Sequence, residues 1–121
     1  MGNKVLVVED NPDNMKLVTW ILEDENYAVT GVGSGEDCLE KIEVEAFDVI
    51  LMDISLPGID GKEVTRRLRE RQEYASLPII ALTAHAIKGE DEEILASGVT
   101  DLITKPLDEE ILLDRLRQLL N

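Results

Sequence analysis

Cysteine and histidine are nearly missing from this chain, which has one of each, Cys38 and His85. A lone thiol cannot close an internal disulfide, so a reducing cytoplasm is the expected location. One imidazole and one thiol are too few for a zinc site. No apolar run approaches the roughly 20 residues of a membrane span. The opening MGNKVLVV lacks the basic region and cleavage pattern of a secretory signal, and Leu6 stands where a myristoylation signal has Ser or Thr. Cations are scarce too: 12 Lys and Arg face 26 Asp and Glu, a net charge of −14. A chain this acidic is repelled by a phosphate backbone, and direct DNA binding is not expected. The one basic cluster, RRLRER at 66–71, mixes its arginines with an acid and reads as a solvated helix face. Internal repeats, low-complexity tracts and linkers are absent as well.

The 121 residues, 44% of them apolar, fit one globular domain spanning 1–121. Short apolar runs alternate with longer amphipathic segments. The runs are VLVV (5–8), YAVTGV (27–32), DVILM (48–52), PIIALT (78–83) and DLIT (101–104). Helix start signals lie between them. Asn11 can cap with Pro12 in the first helical position, and Leu17, Val18, Ile21 and Leu22 then form one stripe. SGED at 34–37 and DGKE at 60–63 resemble capping boxes, followed by Cys38, Leu39, Ile42 and by Val64, Leu68. GEDEE at 89–93 loads acids onto a first turn, where the helix dipole favours them. Asp108 opens a last helix with Leu112, Leu116, Leu119 and Leu120 facing inward. Five such β-α units make a parallel sheet, because each helix returns the chain to the same edge. The fold class is an open α/β sheet with helices on both faces.

In such sheets ligands bind beyond the carboxyl ends of the strands. Four of the runs end in residues with chemistry. The first ends in Glu9-Asp10, the third in Asp53 and the fourth in Thr83; the fifth leads to Lys105-Pro106. Glu9 and Asp10 in isolation would read as caps for the helix starting near Pro12. Three carboxylates meeting at one edge repel unless a proton or cation intervenes. Oxygen ligands without His or Cys favour Mg²⁺, with Mn²⁺ as the alternative. A carboxylate beside such a metal can attack a phosphoryl group, and Asp53 stands alone for that task. Lys105 would supply charge and Thr83 a hydroxyl for the product.

Taken together, VLVVEDN, ILMDISLPGIDG, IIALTAHA and ITKPL are similar to the ordered motifs of response-regulator receiver domains. The resemblance covers the whole chain. It implies a flavodoxin-like doubly wound (βα)5 fold with a five-stranded parallel sheet in the order 2-1-3-4-5. It implies Asp53 as phosphoacceptor in a two-component or phosphorelay system, with Asp10, Asp53 and the Ser55 carbonyl on the metal and Glu9 nearby through water. Thr83, Ala84 and Lys105 would contact the phosphoryl group, and the Lys105-Pro106 bond would be cis. Ser55 and His85 would tune dephosphorylation; the plain alternative for His85 is an ordinary loop residue. Leu102 departs from the pattern, since the family often has Tyr or Phe three residues before the lysine.

The function expected is a signalling switch rather than an enzyme with its own substrate. A histidine kinase or a histidine phosphotransferase would be the phosphodonor. A downstream protein would read the face formed by helix 4, strand 5 and helix 5, with no membrane or DNA partner. Either a stand-alone regulator or a receiver cut from a larger kinase fits. Trp20, off its helix stripe, is an exposed aromatic or a docking anchor. A haloacid-dehalogenase-like phosphatase needs a second Asp where Ser55 stands, and a flavodoxin needs a phosphate loop after the first strand. A degenerate receiver that only binds partners is countered by the complete set of acids, Thr83 and Lys105.

Overall fold

The computed structural model describes residues 3–84 and 89–120. Its elements are β1 (Lys4–Val8), α1 (Pro12–Asp24), β2 (Ala28–Val32), α2 (Gly35–Val44), β3 (Val49–Asp53) and α3 (Gly61–Glu70). A 3-10 turn at Gln72–Tyr74 leads to β4 (Ile79–Thr83), α4 (Glu90–Ala96), β5 (Asp101–Thr104) and α5 (Glu109–Leu120). All four strand pairings are parallel, in the order β2-β1-β3-β4-β5. The doubly wound architecture expected from the sequence is the one found.

Alternation along the strands divides the core in two. Leu6, Val8, Ile50, Met52, Ile79 and Ala81 face a cluster with Cys38 and Ile42 of α2, Val64 and Leu68 of α3 and Ile94 of α4. Val5, Val7, Val49, Leu51, Ile80 and Leu82 face the other way, onto Val18, Ile21 and Leu22 of α1 and Leu112, Leu113 and Leu116 of α5. With apolar residues on both faces, β3 and β4 are buried at every position. They form the middle of the sheet, where the unbroken apolar runs of the sequence belong.

The helix starts behave as their sequences require. Asn11 Oδ1 accepts from the Asp13 and Asn14 N–H groups, Ser34 Oγ from Asp37, Asp60 Oδ1 from Glu63, and Asp108 Oδ1 from Glu110 and Ile111. Two expectations need correction. Leu17 is 47% exposed, because the α1 stripe turns onto the sheet through Val18, Ile21 and Leu22. Leu17 instead borders a cleft of about 210 Å³ between α1 and the loop after β5. The RRLRER cluster is a solvated face only in part. Arg66 and Arg67 are exposed and pair with Glu63, whereas Arg69 is drawn in against backbone carbonyls.

Cys38 is fully buried, and burial pushes its thiol up to about 12. Below the ordinary thiol pKa of about 8.5 both folded and unfolded chains hold the neutral form, so its contribution is fully present. As pH rises from there towards about 12, the unfolded chain ionises first and that contribution falls. Native protein at pH 8 should therefore react with a thiol reagent only as fast as it opens, and denatured protein at once. Prompt labelling of the native protein would contradict a buried thiol.

Candidate functional site

Strand register assembles one cluster at the carboxyl edge. Val8 pairs with Met52, so the next residues, Glu9 and Asp53, come level on adjacent strands. Asp53 pairs with Leu82, one residue before Thr83, and Thr83 pairs with Thr104, one residue before Lys105. The backbone continues the ladder past the strand ends. Glu9 N–H donates to Val32 O at 3.0 Å, Ile54 N–H to Leu82 O at 3.1 Å and Lys105 N–H to Thr83 O at 2.6 Å. These bonds fix where each functional side chain leaves the sheet.

Glu9, Asp10 and Asp53 each offer a carboxylate oxygen, and the three oxygens lie within 4.8 Å of one another. Their surroundings differ. Glu9 and Asp53 are 3% and 4% exposed, whereas Asp10 is open to solvent. Lys105 Nζ stands between the two buried acids, 3.3 Å from Glu9 Oε1 and 3.5 Å from Asp53 Oδ2. Asn11 N–H donates to Glu9 Oε2 at 3.2 Å, and Ser55 N–H to Asp53 Oδ1 at 3.1 Å. Burial pushes the Glu9 carboxyl above its ordinary range and the Asp53 carboxylate pushes it further; the Asn11 N–H and Lys105 pull the other way.

Three carboxylates against one ammonium leave the cluster with excess negative charge beside an apolar core. The donors are all hard oxygens, the chemistry of an Mg²⁺ site with few protein ligands. One acid at the rim and two beneath it suit a cation approached from solvent, and the residues fit the metal expected from the sequence. Thr83, 2% exposed, ends β4 beside this cluster, and Ala84 follows it at the surface. Leu102 is half-buried and packs against the core cluster that contains Ile94. The Lys105-Pro106 bond is cis. His85 lies outside the described residues. Trp20 is 65% exposed.

Two contributions were not read from the sequence, one from Ser55, which was named there for its carbonyl, and one from Gly61. Ser55 orients Asp53 through its N–H, a backbone role that residue type does not encode. Gly61 seats α3 against the end of β3: a Cβ there would lie 2.5 Å from the Asp53 carbonyl oxygen. Its N–H returns to Ile54 O at 3.1 Å, closing the loop after β3. The Asp-Gly pair in the capping signal was the available hint. A larger cavity of about 470 Å³, bordered by Phe47, Tyr74 and Leu77, opens at the opposite edge of the sheet and shares no residue with the acids.

Comparison with known proteins gives concordant results. A family model described as the response regulator receiver domain matches residues 5–117. The sensor protein GacS of Pseudomonas syringae pv. syringae is 44% identical over 109 residues, covering 88% of this chain but only 12% of that protein. The chain thus spans about an eighth of the length of this relative. The polar-differentiation response regulator DivK of Brucella ovis is 40% identical over 107 residues, covering 88% of this chain and 87% of DivK. Among solved structures, the receiver domain of the sensor histidine kinase PA1611 from Pseudomonas aeruginosa PAO1, with magnesium coordinated in its active site cleft, superposes with a TM-score of 0.92. It is 37% identical and covers 99% of this chain and 98% of that one.

The charge imbalance predicts linkage between metal and stability. Mg²⁺ at a hundredfold excess over its dissociation constant should stabilise the fold by about 2.7 kcal/mol. Asp10→Asn should weaken this effect and, by removing one of the repelling charges, raise metal-free stability. Thermal melts of both proteins with and without Mg²⁺ test this, and coincident melts of the wild type would refute the metal site.

Proposed function

The chain belongs to the response regulator receiver domain family of two-component signalling, and on that premise we propose that Asp53 accepts a phosphoryl group from a phosphohistidine. The observation that carries this is the Lys105 ammonium poised between Asp53 and Glu9. It is a cation already placed where a phosphoryl group would bring negative charge.

The reaction is an in-line displacement. An Asp53 oxygen forms the new O–P bond as the P–N bond to the donor imidazole breaks, and that nitrogen leaves with the bonding pair. Ser55 N–H holds Oδ1, so Oδ2, the oxygen facing Lys105, is the nucleophile. Asp10, Asp53 and the Ser55 carbonyl would hold Mg²⁺, with Glu9 behind through water. When bound, the metal neutralises charge on the phosphoryl oxygens. Lys105 then pairs with a phosphoryl oxygen, and the Thr83 hydroxyl and Ala84 N–H donate to the others. Burial of Glu9 and Asp53 strengthens each of these interactions, because the local dielectric is low. The chain contributes position and electrostatics, not a substrate pocket of its own.

A histidine kinase or histidine phosphotransferase is the proposed donor. GacS and DivK, one a long sensor and the other close to this chain in length, show that such a domain serves within either kind of protein. Ser55, next to the acceptor loop, and His85 are the proposed influences on the lifetime of the product. The output surface is the face of α4, β5 and α5, read by a downstream protein. Among the described residues no helix is long and apolar enough to cross a membrane, and cytoplasmic action is part of the proposal.

Intact mass after incubation with acetyl phosphate and Mg²⁺ tests the assignment. Wild-type protein should gain one phosphoryl group and Asp53→Asn none at that position. Lys105→Met should keep the fold but label far more slowly, by roughly the 10²–10³-fold seen when one charge-stabilising donor is removed. Equal labelling of wild type and Asp53→Asn would remove Asp53 from the acceptor role.

A further inference from the structure

The two ends of α4 are tied to α3 by different kinds of contact. At the carboxyl end, Arg69 of α3 spreads its guanidinium over three neutral acceptors. Nε donates to Gly98 O at 2.8 Å and one terminal nitrogen to Tyr74 O at 2.7 Å; the other lies 3.4 Å from Thr100 Oγ1. Thr100 is itself locked to the first residue of β4. Its hydroxyl accepts from Ile79 N–H at 3.0 Å, and its N–H donates to Ile79 O at 2.7 Å. Gly98 has φ +112, and a Cβ there would meet Arg69 Cγ at 2.7 Å. The joint therefore requires glycine for both its backbone conformation and its close contact. It also requires arginine, since only a planar fork reaches acceptors in several directions.

The amino end has a weaker tether. Lys62 Nζ lies 3.4 Å from Glu93 Oε2, and the Glu93 side chain is 68% exposed. Exposed pairs of this kind contribute little net stability and are screened by salt. Among the described residues, an added Cβ at Gly89, also in the left-handed region at φ +94, would meet nothing within 4 Å. Asp91 Oδ1 is shielded from solvent and has no hydrogen-bond partner among the described residues, a cost that movement of this end would relieve. Between the two ends α4 buries Ile94.

We infer that Arg69 is the hinge pin of the switch: the carboxyl end of α4 stays fixed at Gly98 while its amino end swings, breaking the Lys62–Glu93 pair, when Asp53 is modified. This rests on Asp53 being the acceptor. Arg69 touches none of the reacting groups and is a positioning residue. It converts a local change near Thr83 into a rotation of α4 with a defined pivot, rather than a loosening of the whole helix. A hinge needs one end firm and one end cheap to release, and the two tethers differ in that sense.

Backbone amide NMR with Mg²⁺ and beryllofluoride reads the motion. In the wild type, shift changes in α4 should be largest at Glu90–Glu93 and fall several-fold by Gly98 and Thr100. Arg69→Lys, which keeps the charge but not the fork, and Arg69→Met should spread the changes through Gly98 and Thr100. Both should leave acetyl phosphate labelling of Asp53 within about two-fold of wild type, which a general loss of structure would not. Lys62→Met should leave Gly98 and Thr100 quiet. Equal amplitudes at both ends in the wild type, or a wild-type gradient in folded Arg69 variants, would overturn the hinge. Hydrogen exchange of the unmodified wild type decides the matter even if Asp53 proves not to be the acceptor. The Glu93 amide should exchange about ten-fold faster than those of Gly98 and Thr100, and added salt should speed Glu93 alone. Equal protection, or salt sensitivity at Gly98, would sink the proposal.

Discussion

Two carboxylates buried side by side at the end of a parallel sheet are the constraint around which this molecule is organised. Glu9 and Asp53 repel each other beside an apolar core, and that repulsion calls for a cation between them. Lys105 supplies one, and it arrives from the far side of the sheet, across β3, β4 and β5. Its position depends on every intervening register, because a slip of one residue would turn its side chain to the other face. The continuous burial of β3 and β4 makes such slips expensive on both faces at once. The core therefore does more than stabilise: it indexes the charges.

The neighbourhood of Asp53 follows the same logic. β3 ends against Gly61, whose missing side chain lets α3 start directly behind it. The Asp60 cap begins α3 at that point, and Ser55 N–H turns one carboxylate oxygen away from Lys105. Backbone groups therefore orient the Asp53 carboxylate while side chains set the charge around it. Only Asp10, at the rim, remains in water. That gradient from a wet acid to dry ones suits the approach of a hydrated cation to groups that are already desolvated.

Much of this was legible in the sequence, for identifiable reasons. Runs such as VILMD and IIALT have the length and β-branched content of central strands, and their ends named the site residues directly. Strand starts were read one residue early at Tyr27, Asp48 and Pro78, which belong to the preceding turns. Leu17 was misjudged because periodicity ranks residues by type and cannot see that Val18 faces the sheet more squarely. The residue pattern did not say which of Glu9 and Asp10 is buried; neighbours at a strand end leave in opposite directions, so Glu9 is buried and Asp10 is not. Arg69 was least legible. Its shortest bonds go to the carbonyl groups of 74 and 98, backbone acceptors that carry no side-chain signal, so nothing marked it out from the exposed arginines beside it.

Leu102 links β5 to the side of the sheet that carries α4. In the sheet it stands opposite Ala81 of β4, two strands from β3, and it packs into the same cluster as Ile94, the residue that anchors α4. A tyrosine or phenylalanine there could exchange a solvent-facing ring for a buried one, carrying information through a side chain. A leucine has no polar end and little to gain from such an exchange. What remains movable on this face is α4 itself, a short helix with one buried apolar anchor, one screened ion pair and one firm joint. On the reading proposed above, transmission in this chain therefore depends on backbone displacement more than on side-chain rotation. The half-buried leucine serves that arrangement as the fixed surface over which α4 turns.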